Sequence, residues 1–269
     1  MPFEFRLNAR ILAVVVLAGT LVGCAHGQKM PTVGQADADK FLYERGSALL
    51  AKKSWLTARE YFRRIVDSYP QSTYRGDAKL GVGDSFLGEN RADSLILAVN
   101  EYREFLSYFP LSARADYAQY RLALATSKQM LSAERDQTAT HETLTEVQKF
   151  IDTYPDSKYR AEVDKVYRQA RDRLSESEFK VGMVYYRGKW MIGALPRFMA
   201  VIKDDPGYTK MDEVYYFTGV AFMKAGGIPQ AVPMFAQLVE QFPKSKYAKS
   251  AKRYLADLTA KMAPPEIKR

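Results

Sequence analysis

One cysteine, Cys24, and two histidines, His26 and His141, leave this 269-residue chain short of the groups on which most enzyme sites are built. A single thiol closes no internal disulfide, so stability has to come from packing. Two separated histidines and one cysteine do not make a zinc ligand set. No glycine-rich loop follows a strand-like run, so nothing is shaped to cradle a phosphate. Ser-His-Asp catalysis would have to use His141, which reads as an exposed helix residue. Asp204-Asp205 reads as a solvated turn rather than an acid/base pair. Glu176 and Glu178, the acids that a cell-wall-cleaving enzyme would need, fall on the outside of a long helical pattern. The expectation is a protein without enzymatic activity and without a cofactor or metal.

Also missing is an apolar run long enough to cross a bilayer, which takes roughly 20 residues. The one candidate, Ile11 to Val22, follows Arg6 and Arg10 and ends at Leu21-Val22-Gly23-Cys24. A basic start, a short apolar stretch and small residues before a cysteine form a lipoprotein signal over 1–23, with Cys24 as the lipid attachment site. Several acyl chains on one thiol anchor stably, since each buried CH₂ contributes about 0.8 kcal/mol. Ala25 at the next position favours the outer membrane, facing the periplasm. The net charge of +9, or +8 without Glu4, Arg6 and Arg10, reads as dispersed and suits acidic partners or anionic lipid. No basic cluster of the kind nucleic acid requires is seen, so no nucleic-acid partner is expected.

What the chain has is a repeat. Tyr69-Pro70-Gln71-Ser72, Phe109-Pro110-Leu111-Ser112, Tyr154-Pro155-Asp156-Ser157 and Phe242-Pro243-Lys244-Ser245 share one signature, and Asp205-Pro206-Gly207-Tyr208 is a degenerate fifth copy. Twelve residues before each proline stand Ala58, Ala98, Thr143, Ala194 and Ala231, and eight before stand Phe62, Tyr102, Val147, Phe198 and Phe235. Four before stand Val66, Leu106, Ile151, Ile202 and Val239, each following another apolar residue. Steps of four place these residues on one helical face. The proline ends the helix and the serine two residues on is expected to cap the next. Proline spacings of 40, 45, 51 and 37 residues all exceed the tetratricopeptide period of about 34, the shortest by only a few residues. The longest spacing implies one extended helix, roughly Lys158 to Lys189, with Gly182 inside it and Gly188 at its end. Pro196 and Pro233 fall ten residues before their anchoring prolines, so the helices that contain them are expected to start late or bend.

The fold read from this pattern is all-α, a tetratricopeptide-repeat superhelix of about five helical hairpins plus a C-terminal helix. A linker over 24–35 leads to a repeat domain over 36–262, with hairpins at about 36–70, 73–110, 113–155, 158–206 and 209–243, a final helix at 246–262 and a tail at 263–269. Stacked hairpins curve and offer their first helices to a partner. Tyr43, Tyr74, Tyr117, Tyr120, Tyr185, Tyr186, Tyr215 and Tyr216 crowd those helices, either as contacts between repeats or as the edge of a peptide groove.

Three further segments carry a resemblance: Asp116-Tyr117-Ala118-Gln119-Tyr120, the turn Arg135-Asp136-Gln137-Thr138, and Glu178-Phe179-Lys180-Val181-Gly182 followed by Tyr185-Tyr186-Arg187-Gly188. With the lipobox and Tyr69 to Tyr74 they make the chain resemble the BamD family, the lipoproteins of the outer-membrane β-barrel assembly machinery. The resemblance implies a membrane-anchored scaffold that binds a POTRA domain of the barrel insertase and unfolded outer-membrane proteins, alongside other assembly lipoproteins. It offers Arg135, Asp136, Gln137, Thr138, Tyr185, Tyr186 and Arg187 as partner contacts. The same turn has a structural reading, with Asp136 or Thr138 capping a helix and Arg135 paired across the hairpin. Pro196, Pro233 and the Asp205-Pro206-Gly207 stretch depart from the family pattern. A periplasmic repeat lipoprotein that coordinates cell-wall synthesis or pilus assembly is the alternative; such proteins usually lack the Arg-Asp-Gln-Thr turn.

Overall fold

Eleven α-helices succeed one another among the described residues, 30–32 and 34–262 of the computed structural model. The 1–23 leader, Cys24, His26 and the 263–269 tail lie outside the described residues. The helices are α1 (Ala38–Ala51), α2 (Trp55–Ser68), α3 (Arg75–Glu89), α4 (Ala92–Tyr108), α5 (Ala115–Ser127), α6 (Thr138–Thr153), α7 (Arg160–Arg187), α8 (Met191–Asp204), α9 (Met211–Lys224), α10 (Ile228–Gln241) and α11 (Ala248–Met262). Each packs on the next, and α1 also touches α3, α3 touches α5 and α5 touches α7, the pattern of stacked helical hairpins. None of these helices is long and apolar enough to cross a membrane.

The repeat signature accounts for the core. Ala58, Ala98, Thr143, Ala194 and Ala231 are all fully buried, as are the rings of Phe62, Tyr102, Phe198 and Phe235 one turn later. Burying a phenylalanine stabilises the fold by roughly 1.5–3 kcal/mol. The third core layer is Ile65, Phe105, Phe150, Val201 and Leu238, five residues before each proline. The residues four before, Val66 to Val239, are only half-buried. A helix of 3.6 residues per turn alternates steps of four and three, and a fixed step of four drifts off the buried stripe. Opposite the rings the first helices carry glycine: a Cβ on Gly182 would come within 2.6 Å of Phe198, and one on Gly219 within 2.7 Å of Phe235.

The serines after three of the prolines have a different task from the one expected. Ser72 Oγ accepts from the Tyr74 N–H (3.1 Å), outside α3, and donates to Asp39 in the first turn of α1 (2.6 Å). Ser157 donates likewise to Asp116 (2.7 Å) and Ser245 to Asp212 (2.5 Å). Thr209 does so to Asp172 (2.5 Å), and in the second hairpin Arg114 pairs with Asp77 (3.2 Å). The loop leaving each hairpin is thus tied back to that hairpin's first helix.

The long helix follows from the same ties. Asp39, Asp116 and Asp212 are second residues of their helices, whereas Asp172 is the thirteenth of α7. About three extra turns precede it, and their Val163 and Val166 complete the core of the third hairpin with Val147 and Phe150. Beyond Asp172 the same helix presents Phe179 to α8. One continuous helix therefore serves two hairpins, and this lengthens the proline spacing to 51.

Two expectations require correction. Of the late start or bend expected at Pro196 and Pro233, the late start does not occur, because each is the sixth residue inside α8 or α10. Both prolines are exposed, and the carbonyls they leave without a helical donor belong to Ile192 and Pro229, also exposed, where water can serve them. Asp205 is not in a solvated turn: its side chain is buried, it accepts a bidentate pair from Arg168 (2.9 Å to Nη1) and it accepts from Ser175 (2.5 Å), while Asp204 is exposed.

Candidate protein-interaction site

The segment between α5 and α6 closes on itself through its side chains. Asp136 accepts from the Thr138 N–H (3.0 Å) and hydroxyl (3.1 Å), and the Thr138 N–H first and its hydroxyl second hold the Asp136 carboxyl below the usual carboxylate range. Gln137 donates to the carbonyls of Ser132 (2.9 Å) and Arg135 (2.8 Å) and accepts from Thr140 (2.9 Å). Asp136 thus holds the first amide of α6 from one residue ahead of the N-cap, Gln137, whose own side chain makes no cap bond. The pairing expected of Arg135 is absent: its side chain is exposed, and no carboxylate among the described residues lies within ion-pair distance.

Glu134, one residue earlier, fastens this turn to the long helix through Lys180. The hydrogen bond from Lys180 lowers the Glu134 carboxyl, and in return Glu134 raises the Lys180 ammonium. Lys180 also lies 3.3 Å from Glu176, which Lys210 at the start of the next hairpin reaches at 3.2 Å. Burial pushes the Glu176 carboxyl up, but hydrogen bonds from Lys210 and Lys180 outweigh it and leave the group below its ordinary value. Glu178 pairs with Arg197 at 3.0 Å. Both acids thus stand as ion-pair partners.

Two hollows flank this ion chain. One, of about 430 Å³, lies between the start of α6, the middle of α7 and α8, lined by Gln137, His141, Arg171, Glu178 and Asp204 among others. The other, of about 320 Å³, is lined by Glu134, Glu176, Lys180, Arg187 and Lys210 over an apolar floor of Phe179 and Met183. The Arg-Asp-Gln-Thr turn and Arg187 therefore address one stretch of α7. The adjacent tyrosines diverge. Tyr185 packs edge-on against Trp190 (5.0 Å), beside an open groove with Pro196 and Arg197. Tyr186 turns inward to Phe217 (5.3 Å) under Lys224, which donates to its hydroxyl at 3.0 Å.

The remaining tyrosines mark seams between repeats. Tyr43 stacks on Tyr74, Tyr120 on Tyr159 and Tyr216 on Tyr247, with centroids 5.0, 5.2 and 4.5 Å apart. Tyr215 lies against Phe242. The hydroxyls of Tyr117 and Tyr102 converge with Arg121 on Asp84, joining the second hairpin to the third. No group of histidine, cysteine, aspartate or glutamate suited to a metal occurs among the described residues.

Sequence reasoning missed the ion chain that links Glu134, Lys180, Glu176 and Lys210, and the Arg168–Asp205 pair. Their partners lie 30 to 46 residues away or on another helix turn, so no local motif announces them. The five aspartates Asp39, Asp77, Asp116, Asp172 and Asp212 were detectable, as they recur upstream of every repeat proline.

A family model described as outer membrane lipoprotein (YfiO) matches residues 35–214, and a tetratricopeptide-repeat model matches residues 213–245. The outer membrane protein assembly factor BamD of Caulobacter vibrioides is 27% identical over 248 residues, covering 91% of this chain and 80% of that protein. The protein of the same name from Rickettsia prowazekii is 25% identical over 255 residues, covering 92% and 97%. That from Haemophilus influenzae is 24% identical over 225 residues, covering 80% and 84%.

Proposed function

The chain belongs to the YfiO, or BamD, family of outer-membrane lipoproteins, and on that premise we propose that it is a non-enzymatic scaffold in the assembly of outer-membrane β-barrel proteins. Lipid on Cys24 holds it at the periplasmic face. Its repeats bind a POTRA domain of the barrel insertase and unfolded outer-membrane proteins, and further assembly lipoproteins join them.

The observation that carries the partner-binding reading is the state of the turn at 135–138. Its backbone is held by Asp136 and Gln137, its base is fastened to α7 through Glu134, and Arg135 points outward without an internal carboxylate partner among the described residues. A charged, exposed side chain on a preorganised loop loses little freedom when a partner meets it. Arg187, beside the ion chain on the last turn of α7, has the same character.

A photo-crosslinking residue placed at Arg135 or at Arg187 in outer membranes tests this. The expected products are a POTRA-bearing barrel protein or an unfolded barrel substrate, lost when the neighbouring Glu134→Lys change unfastens the turn. Crosslinks to cell-wall synthases or pilus subunits would replace this function with the alternative.

A further inference from the structure

Charge is less evenly spread on the folded molecule than the sequence suggests. The loop before α11 and the helix itself carry Lys244, Lys246, Lys249, Lys252, Arg253 and Lys261 against one acid, Asp257. All six cations are exposed, and none lies within ion-pair distance of a carboxylate among the described residues. Two acids at the start of α9 are engaged by hydroxyls of the leading loop, since Asp212 accepts from Ser245 and Glu213 from the Tyr247 hydroxyl (2.9 Å). Lys246 and Arg253 rest over the rings of Tyr247 and Tyr254 at 4.8 and 5.4 Å. The opposite face of α11, with Ala248, Ala251 and Leu258, is buried on α10.

We propose that the exposed face of α11 and its leading loop is a docking surface for anionic lipid headgroups. Keeping the end of a repeat stack soluble requires a polar face, and mixed charge would serve; one sign alone, left unpaired, requires a counter-charge. Five of the six cations are lysines, and Met262 is the one large apolar side chain exposed on α11. Protein interfaces favour arginine and aromatic anchors and are depleted in lysine. Flexible ammonium groups above a polar helix suit the diffuse field of a charged bilayer, where each contributes on its own. The chain's family places it at a membrane, so that surface is at hand. The inference rests on that placement and not on insertase or substrate binding, so its failure would leave those untouched. Lipid at one end of the stack and lysines at the other would lay the repeats along the membrane.

The test uses the whole mature chain with Cys24→Ala, made without its leader, so that no acyl chain contributes. It is floated with phosphatidylcholine vesicles with or without about 30% phosphatidylglycerol. Flotation is expected only with the anionic vesicles and is lost near 0.5 M salt, where the Debye length falls to a few ångströms. Replacing Lys249, Lys252 and Arg253 by Gln should weaken partitioning at least ~10-fold. The same charge change at exposed Lys128, Lys165 and Lys203 should leave it within about two-fold, with both variants unfolding at the parental temperature. Equal losses in the two variants, no flotation with anionic vesicles, or capture of an acidic protein without affinity for the vesicles would each overturn the proposal.

Discussion

Asp205 occupies the position that Tyr69, Phe109, Tyr154 and Phe242 hold in the other repeats, directly before the proline. An aromatic ring there half-buries itself in the seam, whereas a carboxylate needs donors. Arg168 supplies a fork and Ser175 a hydroxyl. Gly207 leaves the room, because a Cβ there would stand 3.0 Å from an Arg168 nitrogen. The degenerate copy of the motif is thus an exchange of one seam for another. Burial pushes the Asp205 carboxyl up, but the bonds from Arg168 and Ser175 outweigh it and hold the group below its ordinary value. A depressed folded pKa adds stability that is fully present above the unfolded value of about 3.9 and is lost as pH falls through the folded value. Asp205→Asn is expected to cost about 1–3 kcal/mol at neutral pH, because Arg168 loses its charged partner. Urea unfolding followed by circular dichroism should show that gap closing below about pH 4. A gap that stayed constant down to pH 3 would remove Asp205 from the acid response. This residue was misread in the sequence as solvated because its partner lies 37 positions upstream.

Helices announced themselves more clearly than their roles did. Small and large apolar residues recur in phase through five copies, and prolines with serines punctuate them, so hairpin count and order were legible. The work of α7 was not, since Asp172 sits inside an unbroken helix with no turn before it to separate the two units. Pro196 and Pro233 imply a late start or a bend, and the late start is excluded because both lie inside their helices. A proline inside a helix costs up to ~3 kcal/mol relative to alanine, and here the freed carbonyls face solvent. Pro196→Ala should restore a donor to the Ile192 carbonyl and raise the free energy of unfolding, by no more than that figure. A fall in the urea midpoint would mean that the packing of α8 on Phe179 and Met183 depends on the proline.

Across the whole molecule, α7 joins two sets of hairpins, and the Arg-Asp-Gln-Thr turn is clipped to its middle by Lys180. Any partner seated on the turn therefore meets the one element that both halves share. The contiguous part of this site was visible in the sequence as a motif. The ion chain from Glu134 through Lys180 and Glu176 to Lys210 was not, because folding alone assembles it. Membership of the outer-membrane lipoprotein family fixes the setting, and partner binding is the claim on which the account depends. Its most direct measurement is a mild-detergent purification of the tagged, lipidated protein from outer membranes, with mass spectrometry of what accompanies it. A POTRA-bearing barrel protein is expected in near-equal amount, reduced several-fold by Glu134→Lys. Recovery of cell-wall synthases or pilus subunits, with no barrel protein, would contradict that claim.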